Sequence, residues 1–461
     1  MLFMDTTLRS FETLGRLRHH IDQTTADYIR STPLATYDVQ DQSLSFDIRD
    51  LLLMGALTQS DVLLTGKTGE GKTKLANGLM LALFGPEGFY SKTTLPNMQP
   101  SEFMDIDFPA IVEGRKTLKE ALSGVAALER PGIVLNEVNR APALIQSLMI
   151  AFLDRHLEVQ GVSVAMGRPC AFGRYQFRIL TINEGEHYQV HDMDPAIRDR
   201  MILEIPVDAF PRTKNDMLQL LQTDATDPAR AYGPSDTIHG FDADHFEDVV
   251  DLLQTVRRVP VSPEALYFLA YLAGLSYCVR SPRGNKELVE LSHDLCDGCH
   301  HAAAFHGICG NIFAPSARVL LRLMRVAKAF AFFRAWRTKQ ETELVVLNED
   351  IIAAAPFVLY SKLALNPLWL RTAADRHNRF FGDKWTAVQS ILRWIYEERF
   401  ARLIDPAKDV GDILFRYGRG MPLRPEDYEK LYQYVMEKDP WAFDPALLRT
   451  LWRANRNHET A

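Results

Sequence analysis

Residues 62–73 read VLLTGKTGEGKT, and this stretch constrains the fold more than any other. The apolar run Val62-Leu63-Leu64 has the character of a strand, and Lys74-Leu75-Ala76-Asn77-Gly78-Leu79-Met80 that of a helix. Between them lies Gly66-Lys67-Thr68-Gly69-Glu70-Gly71-Lys72-Thr73, the pattern G-x-x-x-x-G-K-T. Glycines allow such a loop to wrap a phosphate chain with several N–H groups turned inward. The following helix offers its positive end to the same phosphates. Lys72 is placed to reach the β- and γ-phosphates, and the Thr73 hydroxyl to hold Mg²⁺. Strand, loop and helix in this order imply a nucleoside triphosphate site within an α/β sheet.

The chain has 461 residues, enough for two to four domains with their own cores. Hydrophobic residues make up 47% and charged residues 24%, as in ordinary globular proteins. A net charge of −7 argues against a nucleic-acid binder, which would carry a basic surface. The N-terminus lacks the basic-then-apolar pattern of a signal peptide, and no apolar run reaches bilayer length, so a cytoplasmic location is expected. Five cysteines, three of them close together, fit a reduced compartment and a metal site better than a disulfide framework.

Along the chain, residues 1–45 read as a helical N-terminal segment that breaks at Ser31-Thr32-Pro33. Residues 46–210 alternate short apolar strands, at Val62–Thr65, Ile133–Leu135, Phe177–Thr181 and Ile202–Ile205, with helices. Such alternation predicts a mostly parallel sheet covered by helices. Residues 211–245 are polar and contain a linker; residues 246–365 are helical without strands. Within them Arg318–Phe333 is apolar nearly all round, as a buried helix requires. Residues 366–461 form a helical C-terminal extension, and Trp369, Trp385, Trp394, Trp441 and Trp452 are its expected packing anchors.

After the phosphate loop, residues 132–142 read GIVLNEVNRAP. An apolar strand delivers Asn136 and Glu137 at its carboxyl end, where ligands gather in open α/β sheets. The usual pair at such a place is Asp-Glu, in which Asp assists Mg²⁺ and Glu activates water. Asn136 can still accept a hydrogen bond from a metal-bound water but carries no charge, which predicts weaker metal binding or slower turnover. Residues 177–183, FRILTIN, form another apolar strand ending in Asn183, placed to touch the γ-phosphate or orient the water. In PAIRDRM, residues 195–201, either Arg200 or Arg198 could serve a neighbouring subunit as an arginine finger.

These segments resemble the MoxR-type AAA+ ATPases of the helix-2-insert group, which also holds magnesium-chelatase and MCM-type motors. The resemblance is carried by LLTGKTGEGKTKLA, LNEVNRAPALIQSLMIAFLDRHLEVQG, FRILTIN and PAIRDRM, and covers about residues 46–365. It implies a P-loop AAA+ α/β nucleotide-binding domain (46–210) with a parallel sheet and flanking helices, then an all-α lid (246–365). It assigns Lys72 and Thr73 to phosphate and Mg²⁺, Glu137 to catalysis, Asn183 to sensor 1 and Arg200 to the finger. Met201 departs from the Phe that follows the family's finger. NMQPSEFMDI, residues 97–106, resembles the insert that the family places before the second strand, and LEVQGVSVA, residues 157–165, the hairpin that often faces the pore. The family's sensor 2 opens a long apolar lid helix and is followed by a V-x-x-E-D-like segment. Arg318, ahead of Val346-Leu347-Asn348-Glu349-Asp350, fits that place better than Arg283 in Ser281-Pro282-Arg283.

Within the lid, residues 293–309 read HDLCDGCHHAAAFHGIC. Cys296 and Cys299 have the C-x-x-C spacing that clamps one metal, Cys309 offers a third ligand, and Cys278, His300, His301 or His306 a fourth. Structural Zn²⁺ is the expected ion, with an iron–sulfur cluster as the alternative. The resemblance lends this cluster nothing, since MoxR proteins do not generally carry it.

The leading expectation is an ATP-hydrolysing motor that assembles as a homo-hexamer and remodels or matures a partner protein. In this family the partner often has a von Willebrand A domain, and cofactor insertion into metalloenzymes is one such role. The alternatives are a nucleic-acid motor of MCM type, disfavoured by the acidic charge, and a low-turnover nucleotide switch, kept open by Asn136.

Overall fold

The computed structural model describes residues 2–39, 42–104, 108–117, 126–159, 162–184, 193–226, 244–273, 317–340, 344–363, 383–399 and 421–437, with five single positions beside them. The chain divides into two compact units, one of residues 1–260 with 325–345, the other of 261–324 with 346–461.

The first unit is built on five short strands, four of them buried along their whole length. Chain order gives helix α1 (Leu2–Thr24), hairpin β1 (Ala35–Val39) and β2 (Gln42–Phe46), α2 (Ile48–Thr58), β3 (Val62–Thr65) and α3 (Lys72–Phe84). Then come β4 (Phe89–Thr93), β5 (Gly132–Asn136), α4 (Ala143–Leu153), hairpin β6 (His156–Val159) and β7 (Val162–Ala165), and hairpin β8 (Arg168–Cys170) and β9 (Gly173–Tyr175). The set closes with β10 (Phe177–Thr181), α5 (Pro195–Arg200), β11 (Leu203–Pro206), α6 (Lys214–Thr226) and α7 (Phe246–Arg258).

The sheet runs β11-β3-β10-β5-β4 and every pairing in it is parallel. All four strands expected from apolar runs are in it. The fifth, β4, has half-exposed and exposed side chains, as befits an edge strand, and so gives no continuous apolar signal. Its presence moves residues 97–106: they precede the third sheet strand in chain order, not the second as expected from sequence. The core centres on Leu63, Leu135 and Leu180 from neighbouring strands, against Val138, Ile145, Met149 and Ile197. Each such side chain contributes about 1.5–3 kcal/mol on leaving water.

The N-terminal segment is not helical throughout, since β1 and β2 pair antiparallel from Ala35–Phe46 to Val39–Gln42. It is fastened to the sheet domain by charge. Asp50, fully buried, forms a capping box with Asp47 and accepts from Arg18 Nε at 2.8 Å and from Arg337 Nη2 at 2.5 Å. A second buried charge, Arg178 in β10, meets Asp61 Oδ2 at 3.1 Å, the Leu153 carbonyl at 3.0 Å and Gln176 Oε1 at 2.8 Å. Burial pulls the Arg178 guanidinium down to about 10, with Asp61 working against that.

In the second unit the described helices include α8 (Pro263–Ala273), the start of α9 (Ala317–Thr338, which continues into the first unit), α10 (Asn348–Leu359), α11 (Lys384–Trp394) and α12 (Pro425–Glu437). Trp385 is buried between Phe357 and Tyr360, at 5.0 and 5.6 Å between ring centroids, the packing role expected of it. Trp369, Trp441 and Trp452 lie outside the described residues, as does the Trp394 side chain. Among the described residues no helix is long and apolar enough to cross a membrane.

Candidate active site

The loop after β3 owes its path to three glycines at positive φ: Gly66 at 142°, Gly69 at 87° and Gly71 at 78°. L-residues rarely adopt such angles. A Cβ on Gly69 would meet nothing within 4 Å, so the loop is open there. Lys72 is buried and curls back into the loop, donating from Nζ to the carbonyls of Gly66 and Lys67, both at 2.7 Å. Burial lowers its affinity for the proton, and the carboxylates of Asp208, Glu70, Glu184 and Glu137 oppose that shift. Thr73, one residue further on α3, is exposed, as are Lys67 and Thr68. A cradle of glycine backbone, an inward ammonium and an exposed hydroxyl at a helix start fit a triphosphate with its Mg²⁺.

The strand ends beside it carry the polar groups. Glu137 sits at φ 56°, ψ 41°, a left-handed geometry uncommon for Glu. That turn lifts its carboxylate off the end of β5, where Asn183 Nδ2 donates to Oε1 and Arg140 Nη1 meets Oε2, each at 3.0 Å. Its backbone N–H donates to Thr181 Oγ1 at 3.1 Å, and Thr94 Oγ1 donates to its carbonyl at 2.6 Å. Asn136 is 2% exposed and spans from Ser91 Oγ at 3.5 Å to Thr181 Oγ1 at 3.4 Å, tying β4 and β10 across the end of β5. Asn183 is fixed in turn by its carbonyl, which accepts from Asn139 Nδ2 at 2.8 Å.

Sheet pairing brings Lys72, Thr73, Asn136, Glu137 and Asn183 together at the carboxyl ends of the inner strands, since β10 lies between β3 and β5. The Glu184 N–H donates to the Gly66 carbonyl at 3.2 Å, which joins the end of β10 to the phosphate loop directly. The finger candidates lie on α5. Arg200 makes a two-pronged pair with Asp154, both contacts at 2.8 Å, whereas Arg198 faces Glu184 at 3.4 Å and Glu204 at 3.3 Å. Arg318 is exposed at the start of α9, in the second unit. Arg283, Cys278, Cys296, Cys299, His300, His301, His306 and Cys309 lie outside the described residues. Among the described residues no group of His, Cys, Asp and Glu is arranged to hold a metal.

Sequence reasoning missed several members of the site. Asp208 Oδ2 accepts from the Lys67 N–H at 2.9 Å, and Arg212 Nη1 reaches Glu70 Oε2 at 2.7 Å. Arg30 pairs with the same Glu70 oxygen, and the Tyr28 ring covers Gly71, whose Cβ would lie 3.2 Å away. Thr94 and Thr181 support Asn136 and Glu137. Apart from Thr181, which ends an expected strand, none has a signature in one sequence, because each reaches the loop or the strand ends only through tertiary structure. Arg140, inside NEVNRAP, and Thr181, inside FRILTIN, were in view with no role assigned.

A five-strand parallel sheet with this loop and this acidic strand end is an AAA-type P-loop domain, the arrangement of an ATP hydrolase. Residues 61–201 match the model of the AAA domain, dynein-related subfamily. No curated protein shows significant similarity to the chain. Among solved structures, a candidate ATPase from Cytophaga hutchinsonii superposes with a TM-score of 0.54 at 18% identity, over 85% of this chain and 96% of that one. At that identity the likeness is one of fold.

Proposed function

We propose that the protein is a ring-forming ATPase of MoxR type that couples ATP binding and hydrolysis to remodelling or maturing a partner protein. The observation that supports hydrolysis best is the Glu137 carboxylate, lifted by a left-handed turn and oriented by Asn183 at 3.0 Å, at the strand ends beside the phosphate loop. Lys72 offsets negative charge on the β- and γ-phosphates. Glu137 accepts the proton of the attacking water, and Asn183 holds the carboxylate in place for it. The Thr73 hydroxyl, with Asn136 at the neighbouring strand end, would hold Mg²⁺, which when bound would neutralise charge on the phosphate oxygens. Arg200, at the carboxyl end of α5, serves the site of the next subunit, which makes assembly a condition of full activity.

The partner is a protein, and a von Willebrand A domain is the kind this reading favours. Zn²⁺ on Cys296, Cys299 and Cys309 rests on ligand spacing alone, and metal analysis of purified protein tests it. Native mass spectrometry of Glu137→Gln with ATP tests the ring: a trapped hexamer supports it, and a monomer at saturating ATP refutes it. ATPase assays with and without DNA test the motor against its nucleic-acid counterpart, and strong stimulation by DNA would reverse the choice.

A second reading, a slow nucleotide switch, is favoured by Asn136. It is buried and uncharged, and both atoms of its amide face hydroxyls of neighbouring strands. Single-turnover kinetics separates the two: hydrolysis no faster than nucleotide release of many minutes would favour the switch.

A further inference from the structure

The phosphate loop is fastened from outside at one side chain, Glu70, which lies between Gly69 and Gly71. Its carboxylate oxygen Oε2 takes two guanidinium groups, Arg30 Nη2 and Arg212 Nη1, the latter at 2.7 Å. Arg212 also donates from Nη2 to the Glu70 carbonyl at 3.0 Å and from Nε to the Ile29 carbonyl at 3.2 Å. Arg30 is almost fully buried and donates from Nη1 to the carbonyls of Val207, at 2.7 Å, and Phe210. Two chain segments remote in sequence, 28–32 and 207–216, thus close on one residue of the loop. They are fixed to each other as well. Thr32 Oγ1 donates to the Pro211 carbonyl at 2.6 Å, and Asp216 accepts from the N–H groups of Ser31 and Thr213 at 3.1 and 2.7 Å.

The neighbours of Glu70 explain why such a fastening has work to do. Gly66, Gly69 and Gly71 all hold left-handed angles, and glycine loses more conformational freedom on ordering than any other residue. A loop of this composition left to itself samples many shapes, and a triphosphate would have to order it on binding. Ordering done in advance by the protein is recovered as affinity. Charge-assisted bonds from two guanidiniums to one carboxylate, mostly out of water, are strong enough for that role.

We infer that Glu70, Arg30 and Arg212 form a positioning clamp that pre-shapes the phosphate loop and so sets the affinity for the nucleotide. The inference rests on the loop's being the triphosphate site. The clamp touches no reacting atom, so it acts on binding and not on the chemical step.

The test is a double-mutant cycle on the full chain with Glu70→Ala, Arg212→Ala and the pair, reading the Kd of a fluorescent methylanthraniloyl-ATP, KM and kcat, and the melting temperature. Each single variant is expected to raise Kd and KM on the order of tenfold, with kcat changed less than about twofold. The double variant is expected to be no weaker than either single one, because one clamp can be lost only once. Glu70→Gln, which keeps one acceptor oxygen without the charge, is expected to fall between wild type and Glu70→Ala. Additive losses, or a fall in kcat at unchanged KM, overturn the clamp. So do losses of Kd that follow the melting temperature across all variants, which would mark Glu70 as a stability contact. A wild-type chain that binds no nucleotide overturns the site itself, and the clamp with it.

Discussion

Asn183 Nδ2 donates to Glu137 Oε1 at 3.0 Å, from the end of β10 to the end of β5. The two residues are separated by 46 positions, and parallel pairing of their strands brings them together. The same Glu137 carboxylate also meets Arg140 at 3.0 Å, so both of its oxygens have a partner. This fixes the direction of the carboxylate.

Glu137→Gln should lower kcat by about 10²–10⁴, the range that a general base supplies, while nucleotide is still bound. Steady-state ATPase with a parallel binding titration checks this. Turnover within a few-fold of wild type would move the base elsewhere.

Asn136→Asp places a charge at the end of β5, where the proposed function puts the metal. It should raise apparent affinity for Mg²⁺ or turnover, since a carboxylate holds the metal's water shell more strongly than an amide does. A Mg²⁺ titration of ATPase activity reads both. Ser91 and Thr181 hold Asn136 as a neutral side chain, so a gain in metal affinity is expected with some loss in melting temperature from the buried charge.

Arg200→Ala should reduce ATPase activity of the assembled protein by about 10³ or more, as loss of an arginine finger does. Its cis partner Asp154 is more than half exposed, and an exposed pair contributes about 0–1 kcal/mol. Asp154→Ala should therefore leave the melting temperature nearly unchanged and preserve activity. If both variants lose activity alike, Arg200 is a structural partner of α4 and not a finger.

Asp61→Ala leaves the buried Arg178 guanidinium without its counter-charge. It should destabilise the first unit by about 3–5 kcal/mol, the cost of orphaning a buried ion. Denaturant unfolding gives the value. A loss below about 1 kcal/mol would mean that the Leu153 carbonyl and Gln176 carry Arg178 by themselves.

Much of this site was legible because its residues lie close together in the chain. Gly66 to Thr73 form one loop whose chemistry requires each residue type, and Asn136 and Glu137 end an apolar strand. Asn183 was read from its place after the third such strand and from the family resemblance. Asp208, Arg212, Arg30 and Tyr28 carry no pattern of their own, and a half-exposed edge strand such as β4 breaks the apolar run that marks the other four.

The sequence by itself determined the phosphate loop, four of the five sheet strands and the acidic strand end, because backbone freedom and apolar runs are local properties. Tertiary structure decided which side chains meet there. Parallel pairing in the order β11-β3-β10-β5-β4 brought Asn183 to Glu137 and Thr181 to Asn136. Packing of the N-terminal segment and of the chain after β11 brought Arg30 and Arg212 to Glu70. Those contacts depend on how distant segments pack, and no local pattern in a single chain encodes that.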